Sequence, residues 1–447
     1  MRRTIILIFA AGLSAAVMAQ TMTLEQCVDY AIAHNIDIAR QQVRIEQQKV
    51  EVNTSENQWL PRVDAEVTDM FNLHQTLNVG YVPTDLGTLP KNVVLNALQP
   101  VVTASMPLYT GGRLSHQEAS DRLDLQSATY QLEKARKDVR IQVATHYLQV
   151  LYYQGLADVA MKQVDVSREL VERAKKLYEE GRRPKSDVAD AESRLATDEY
   201  LLAQHQGNVT LSTVNLAQLL NMEDVAALRV EDPALTNTTP PDESAIQSPQ
   251  QTYADIVENY PSILALKTSL RSLHHRVDIA RSAYLPQVSL KASVGTNYYY
   301  IFHDDVKPLM ENFSDQVWRN FNPIVGLSVS YNIFNGHQTR NSVSKARLAV
   351  QAGELDLHNA RLSLRKELQQ AYYNAMTSAS KYRSAVSAEQ ASHTSYEYNK
   401  KKYDAGKGTI FDIDEATQRW VQAQEDVLQS RYDYLIRKKI LDFYIEQ

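Results

Sequence analysis

The second half of the chain restates the first at a constant offset of about 225 residues, with four landmarks in register. Trp59-Leu60-Pro61-Arg62-Val63 matches Tyr284-Leu285-Pro286-Gln287-Val288, and Leu108-Tyr109-Thr110-Gly111 matches Ile333-Phe334-Asn335-Gly336. Tyr178-Glu179-Glu180-Gly181, running on to Asp187-Val188, matches Tyr403-Asp404-Ala405-Gly406, running on to Asp412-Ile413. Asn35-Ile36-Asp37-Ile38 stands opposite Tyr260-Pro261-Ser262-Ile263. One offset held across four separated landmarks marks a duplicated unit, so residues 20–221 and 253–447 are expected to fold alike, with residues 222–252 as an irregular, proline-bearing connector.

Within each unit the pattern changes in the same order. A helix is expected over about 24–58 and about 253–283, stopped by Leu60-Pro61 and Leu285-Pro286, because proline lacks the amide proton and pushes the preceding residue out of the helical region. Alternation follows. Val63, Ala65 and Val67 interleave with Asp64, Glu66 and Thr68, while Val288, Leu290, Ala292 and Val294 interleave with Ser289, Lys291 and Ser293. Second strands through Val102, Ala104, Met106 and Leu108, and through Val325, Leu327, Val329, Tyr331 and Ile333, close hairpins at about 61–109 and 286–334, giving four strands in all. The next segments, about 113–178 and 337–402, hold no proline, and some 66 helical residues would reach on the order of 100 Å. Their apolar stripe is narrow and rich in alanine: Ala128, Leu132, Ala135, Val139, Val143, Tyr147 and Val150 in one, Leu357, Ala360, Leu364, Leu368, Ala371 and Ala375 in the other. Each ends at a glycine turn, Gly181 or Gly406, and a shorter helix returns to about residue 221 or 445. Two helices of about 35 residues stacked end to end match one long helix.

Arg2, Arg3 and the apolar run from Ile5 to Ala19 read as a secretory leader over residues 1–19, and no later stretch approaches the roughly twenty apolar residues of a membrane helix. Cys27 falls inside the amphipathic pattern Leu24, Cys27, Val28, Ala31, which reads as a buried helix residue; the competing reading is a lipidation site, against which stand the preceding Glu25 and Gln26. One cysteine allows no internal disulfide. The formal net charge of −6 gives nucleic acid no footing. Gly406-Lys407-Gly408-Thr409 lacks the earlier glycine of a phosphate loop and follows a helix, and His274-His275 point about 100° apart on a helix, so neither a nucleotide nor a paired-ligand metal site is expected there. With no nucleophile motif or catalytic carboxylate pair, the chain reads as a non-enzyme without cofactors.

Strands that alternate apolar with polar over about eight to twelve residues suit an outer-membrane barrel, and Tyr298, Tyr299, Tyr300 and Phe302 suit its aromatic girdle. In hydrocarbon every backbone polar group needs an internal partner, so an open four-stranded sheet cannot persist alone. Three copies would close about twelve strands around an aqueous lumen, with the helices forming a second barrel in the periplasm. A small soluble hairpin domain is the competing reading of the strands, and a soluble periplasmic adaptor or coiled-coil scaffold that of the whole chain.

Taken together, the Thr23-Leu24-Glu25-Gln26 opening with His34-Asn35, the two Leu-Pro strand starts, the glycine-bearing strand ends and the Gly-turn-Asp-Val/Ile tips resemble the TolC-type outer-membrane efflux family over nearly the whole mature chain. The resemblance implies a homotrimer with a twelve-stranded barrel in outer-membrane lipid continuous with a periplasmic α-helical tunnel. It implies a passive export duct opened at its lower end by an inner-membrane transporter and a periplasmic adaptor. It places the gate at two tips, Gly181-Arg182-Arg183-Pro184-Lys185-Ser186-Asp187 and Gly406-Lys407-Gly408-Thr409-Ile410-Phe411-Asp412. Asp412 and Glu415, three apart on one helix face, would form stacked acidic rings that favour cations; the competing reading makes Asp412, Asp414 and Glu415 helix N-terminal charges. Tyr403 with Ser186 and Asp187 would form a latch between the hairpins, the phenol donating to Asp187; the competing reading is an exposed tyrosine ending a helix beside a helix N-cap. Where the family often has an arginine before the threonine of the second tip, this chain has Gly408, with Lys407 beside it. Gly181, Arg182, Arg183, Gly406 and Lys407, with Lys185, would offer a surface on which an adaptor hairpin docks; the default reading of these cations is solvated turn charge. The C-terminal extension of some members is not expected beyond Gln447.

Overall fold

The computed structural model describes residues 20–75, 93–231, 248–302, 310–405 and 407–445. The expected leader and Gly406 lie outside the described residues, as do the side chain of Tyr403 and most of the prolines of the connector. The chain divides into two compact units, each assembled from both sequence repeats. One comprises Ile45–Ala128 and Ala265–Leu357 and carries the sheet; the other comprises Met1–Arg44, Thr129–Leu264 and His358–Gln447 and is helical.

In chain order the elements are β1 (Gln20–Met22), α1 (Leu24–His34), α2 (Ile36–Asn57), β2 (Arg62–Gln75), β3 (Val93–Tyr109), α3 (Arg113–Glu179), α4 (Lys185–Leu219), a 3-10 turn (Val225–Ala227) and β4 (Leu228–Val230). The second half gives α5 (Pro249–Ile256), α6 (Pro261–Ser282), β5 (Gln287–Gly295), β6 (Tyr298–Ile301), α7 (Phe313–Arg319), β7 (Asn322–Ser330), α8 (Gln338–Asp404) and α9 (Ile410–Ile445). The two long helices have 67 residues each, and the returning helices 35 and 36.

The sheet unit runs β2-β3-β5-β7, antiparallel throughout, with β6 also pairing β3. Directly paired residues share a face, so the register sorts the side chains. Val63, Ala104, Ala292 and Val325 line up across all four strands, as do Ala65, Val102, Val294 and Pro323, while Met106, Leu290 and Leu327 extend the same face. The other face carries Arg62, Ser105, Lys291 and Gly326, then Asp64, Thr103, Ser293 and Ile324. One face is thus almost wholly apolar and the other mostly polar.

The sequence pattern missed a break in this sheet. The strand from Gln287 stops at Gly295 and resumes at Tyr298. The short helix α7 holds the gap: Thr296 Oγ1 donates to the Val317 carbonyl at 2.7 Å, and Asn320 Nδ2 to the Asn297 carbonyl at 2.6 Å. The Gln316 side chain accepts from Tyr299 N at 2.9 Å and donates to Tyr299 O at 3.2 Å, replacing the lost ladder bonds. The last strand also ends at Ser330, short of the expected Tyr331 and Ile333. Of the expected girdle, Tyr298 packs edge-on against Phe313 and Tyr300 against Phe302, while Phe302 stays half exposed.

In the helical unit the opening helices break at equivalent points. Asn35 ends α1 and starts α2, its Oδ1 accepting from Asp37 N at 2.9 Å while its Nδ2 donates to Leu219 O at 3.0 Å. Pro261, the counterpart of Ile36, opens α6 in the same way, and Ile38 and Ile263 are both buried behind these breaks. Pro249, read from sequence as connector, instead opens a helix, the position where a missing amide proton costs nothing. The connector is also less irregular than expected: Leu228 and Val230 point into the core and their strand pairs in parallel with Gln20–Met22. Tyr147, fully buried, donates to Met22 O at 3.2 Å, and Gln154 to Val230 O at 3.3 Å, so α3 satisfies the outer edges of this small sheet.

The alanine-rich stripes form the core of this unit. Val139, Val143, Tyr147 and Val150 are buried on α3, and Leu368, Ala371 and Ala375 on α8 pack with Ile256 and Leu441. Cys27 is a fully buried free thiol whose pKa burial pushes up to about 12, which keeps it protonated and unreactive. Among the described residues no helix is long and apolar enough to cross a membrane.

Candidate gate at the hairpin tips

Both tips belong to the helical unit. The first begins where α3 ends in a glycine cap. Gly181 sits at φ +68, its N–H donates to Tyr178 O at 2.9 Å and that of Arg182 to Leu177 O at 2.9 Å, so the last carbonyls of the helix find partners. Nothing lies near the space a Gly181 Cβ would occupy, so backbone conformation alone selects glycine here. After Pro184 the chain turns into α4, and Ser186 Oγ donates to Asp187 Oδ1 at 3.4 Å. Asp187 is largely covered and lies 3.6 Å from Arg183 Nη1. Arg182 pairs with Glu180 at 3.2 Å, both exposed, and Lys185 is exposed as well.

The second tip closes similarly, Lys407 N and Gly408 N both donating to Lys402 O at 2.9 and 3.1 Å. Lys407 is exposed. Thr409 and Asp412 then cap α9 reciprocally. Thr409 N donates to Asp412 Oδ2 at 3.0 Å, Thr409 Oγ1 donates to the same oxygen at 2.6 Å, and Asp412 N donates back to Thr409 Oγ1 at 3.2 Å. These hydrogen bonds from Thr409, helped by Lys402, hold the Asp412 carboxyl below its ordinary range. Glu415 is exposed and pairs with Arg419 one turn on. Within one protomer, therefore, Asp412 serves as a helix cap, and both carboxylates remain open to solvent.

One network at the tips was not anticipated from sequence. Arg194 on α4 reaches across to α9, its Nη1 2.8 Å from Asp414 Oδ1, while its Nε lies 3.3 Å from Asp198. Asp198 is buried, and it also accepts from Gln163 Nε2 at 3.2 Å and from Ser167 Oγ, both on α3. The arrangement ties three helices from both repeats through one guanidinium. The signal for it lay in the helical period. Ala191 and Asp198 stand seven apart on the buried stripe of α4, and a carboxylate on such a stripe needs a partner. Closer to the tip the hairpin packs through Val171, Ala174 and Ala191, with Leu170, Val188 and Leu195 around them.

A sheet with one apolar face and helical hairpins with polar tips define an outer-membrane channel-tunnel, part barrel and part helical duct. The chain belongs to the outer membrane efflux protein family, whose profile matches residues 27–222 and 252–445 and so divides as the two repeats do. It is similar to the outer membrane protein TolC of Vibrio cholerae, 27% identical over 315 residues that cover 69% of this chain and 68% of the relative. Among solved structures it superposes on CusC with a TM-score of 0.78 at 13% identity, covering 94% of this chain and 91% of that one. The Campylobacter jejuni CmeC outer membrane channel gives a TM-score of 0.77 at 18% identity, covering 94% and 85% of the two chains. The protein is an outer-membrane export channel with a periplasmic helical part, and the soluble-scaffold alternative is not favoured.

Proposed function

We propose that three copies of this chain close a twelve-stranded barrel and a periplasmic tunnel, forming a passive duct that an inner-membrane transporter and a periplasmic adaptor engage from below. The sheet edges carry this reading. Among the described residues β2 and β7 each pair with a single strand, so strands of 14 and 9 residues form the two outer edges of the sheet, beside exposed Val63, Val67, Phe71, Val325, Leu327 and Val329. Such an edge is unstable in hydrocarbon unless another copy pairs with it, and β7 of one copy meeting β2 of the next extends the apolar face without interruption. Cysteines at Asp64 and Ser328, on the edge strands, should crosslink between copies into a closed trimer; a cysteine-linked species stopping at two copies would sink the proposal.

Two stacked acidic rings, from Asp412 and Glu415, sit at the lower entrance in this reading, and Tyr403 with Ser186 and Asp187 latches the hairpins in the closed state. Support comes from the solvent-facing carboxylates and from the tips sharing one compact unit. Asp412→Ala with Glu415→Ala should lower cation selectivity and relieve divalent-cation block in a planar bilayer. Tyr403→Phe should raise the closed-state conductance. The exposed cations around Gly181 and Gly406, namely Arg182, Lys185 and Lys407 with the half-covered Arg183, offer an adaptor hairpin a basic surface, and reversing their charge should weaken adaptor binding while leaving conductance intact.

A further inference from the structure

His116 lies in the first turns of α3 and His275 near the end of α6, so the two belong to different repeats but to the same sheet-bearing unit. Their Nδ1 atoms are 3.1 Å apart. That spacing is a hydrogen bond from one imidazole N–H to the other ring's nitrogen. Two nitrogens bound to one transition-metal ion at about 2.0–2.1 Å, subtending about 90–110°, also stand about 2.9–3.4 Å apart, so an ion can replace the shared proton without moving the rings. Asp278 follows His275 by three residues on the same helix face. Ligand atoms from His116, His275 and Asp278 lie within 4.8 Å of one another, and all three side chains are partly covered.

The surroundings fix the two imidazoles rather than leaving them to chance encounter. α3 and α6 run antiparallel here, joined one turn away by Ser120 Oγ to Ser272 Oγ at 2.9 Å and further on by Ser127 Oγ donating to Ala265 O at 2.9 Å, both buried. Arg276 adds an ion pair to Asp124 at 2.7 Å. Gly112 matters too, since a Cβ there would stand 3.4 Å from His116 Cδ2, and its φ of +81 already disfavours other residues. His274, the neighbour that the sequence pairs with His275, is exposed and takes no part in the cluster.

We propose that His116, His275 and Asp278 bind a divalent transition metal of the zinc class, with water at the remaining positions, and that the ion clips the two repeats together where the strands give way to helices. Two imidazoles and one carboxylate form a borderline donor set that suits zinc and its neighbours rather than calcium or magnesium. Asp278 now pairs with Arg281 at 3.0 Å, so the ion competes with a half-exposed guanidinium for that carboxylate. The site needs no adaptor, transporter or cargo, and it belongs to the sheet-bearing unit, whereas the acidic tips belong to the helical one.

The test uses the full-length mature channel, free of any histidine tag, purified in detergent, stripped with chelator and titrated calorimetrically with zinc chloride. One equivalent per chain is expected, with a zinc-dependent rise in the melting temperature. His116→Ala and His275→Ala should each abolish both effects and His274→Ala neither, while Asp278→Asn should weaken binding by more than about tenfold. Arg281→Ala should bind at least as tightly as the unaltered chain. Should an alanine variant fail to fold, His116→Gln or His275→Asn gives the same readout, its chelator-stripped melt serving as the folding control. Equal zinc uptake by the unaltered chain and by both histidine variants, or no uptake by the unaltered chain, overturns the assignment.

Discussion

Arg194 of the first repeat stands 2.8 Å from Asp414 of the second, and the same guanidinium holds the buried Asp198 at 3.3 Å. A single cation therefore neutralises one carboxylate inside a hairpin and another on its neighbour. The two anions differ in setting: the Asp198 side chain is 4% exposed and that of Asp414 39%. The inner pair is the part that cannot be broken cheaply, whereas the outer pair can part into water, so this contact is suited to opening while Asp198 keeps its partner.

Arg194→Ala should destabilise the hairpin locally by about 3 kcal/mol, the low end for stranding a buried charge because Ser167 and Gln163 still donate to Asp198. Asp414→Asn should cost under about 1 kcal/mol, as expected of a partly exposed pair. Hydrogen exchange at amides 191–198 reads both, and equal effects would contradict this division of roles.

The Thr409–Asp412 cap predicts a pH dependence at the second tip. Because the folded carboxyl is held below its ordinary value, folding favours its charged form. That contribution is complete above the ordinary carboxylate range, shrinks as pH falls into it, and is gone below the depressed folded value. Amides 409–415 should thus exchange faster in acid than a pH-corrected intrinsic rate explains. Thr409→Ala, which removes both hydroxyl bonds, should raise the carboxyl's titration midpoint and make exchange several-fold faster at neutral pH.

Much of this architecture was legible because it rests on period. The duplication, the Leu-Pro helix stops, the glycine turns and the alanine stripes are local patterns, and the structure buries Leu132, Val143, Leu368 and Ala375 where the stripe placed them. What escaped depends on partners distant in sequence. The parallel pairing of Gln20–Met22 with Leu228–Val230 leaves only a three-residue alternation on either side. The break at Thr296 depends on α7, and the Arg194 network on residues more than 200 positions apart. Sequence sets His275 only beside its neighbour His274, from which it points about 100° away, while its imidazole partner His116 is 159 residues away.

Equivalent glycines in the two repeats should differ in cost. Gly111 and Gly336 both sit at positive φ, +65 and +62. A Cβ on Gly111 would fall 2.8 Å from Ser282 O and 2.9 Å from Leu285 Cβ, whereas nothing lies within 4 Å at Gly336. Gly336→Ala should cost about 1–2 kcal/mol, the backbone term alone, and Gly111→Ala about 3 kcal/mol or more because the clash adds to it. Denaturation midpoints of the two variants, or their yields of assembled channel in the outer membrane, give the order.

The register of the sheet makes the sharpest forecast about the membrane. Val67 is 68% exposed on the apolar face of an edge strand, and Thr68, its neighbour, projects from the polar face. Arginine at 67 would place a charge against acyl chains at a cost of up to about 2–4 kcal/mol, depending on depth, while arginine at 68 would meet the aqueous lumen. Val67→Arg should therefore sharply reduce heat-resistant channel recovered from outer membranes, and Thr68→Arg should assemble normally but shift ion selectivity toward anions. The reverse pattern would mean that the apolar ladder through Val63, Ala104, Ala292 and Val325 faces inward and that lipid does not bathe this side of the sheet.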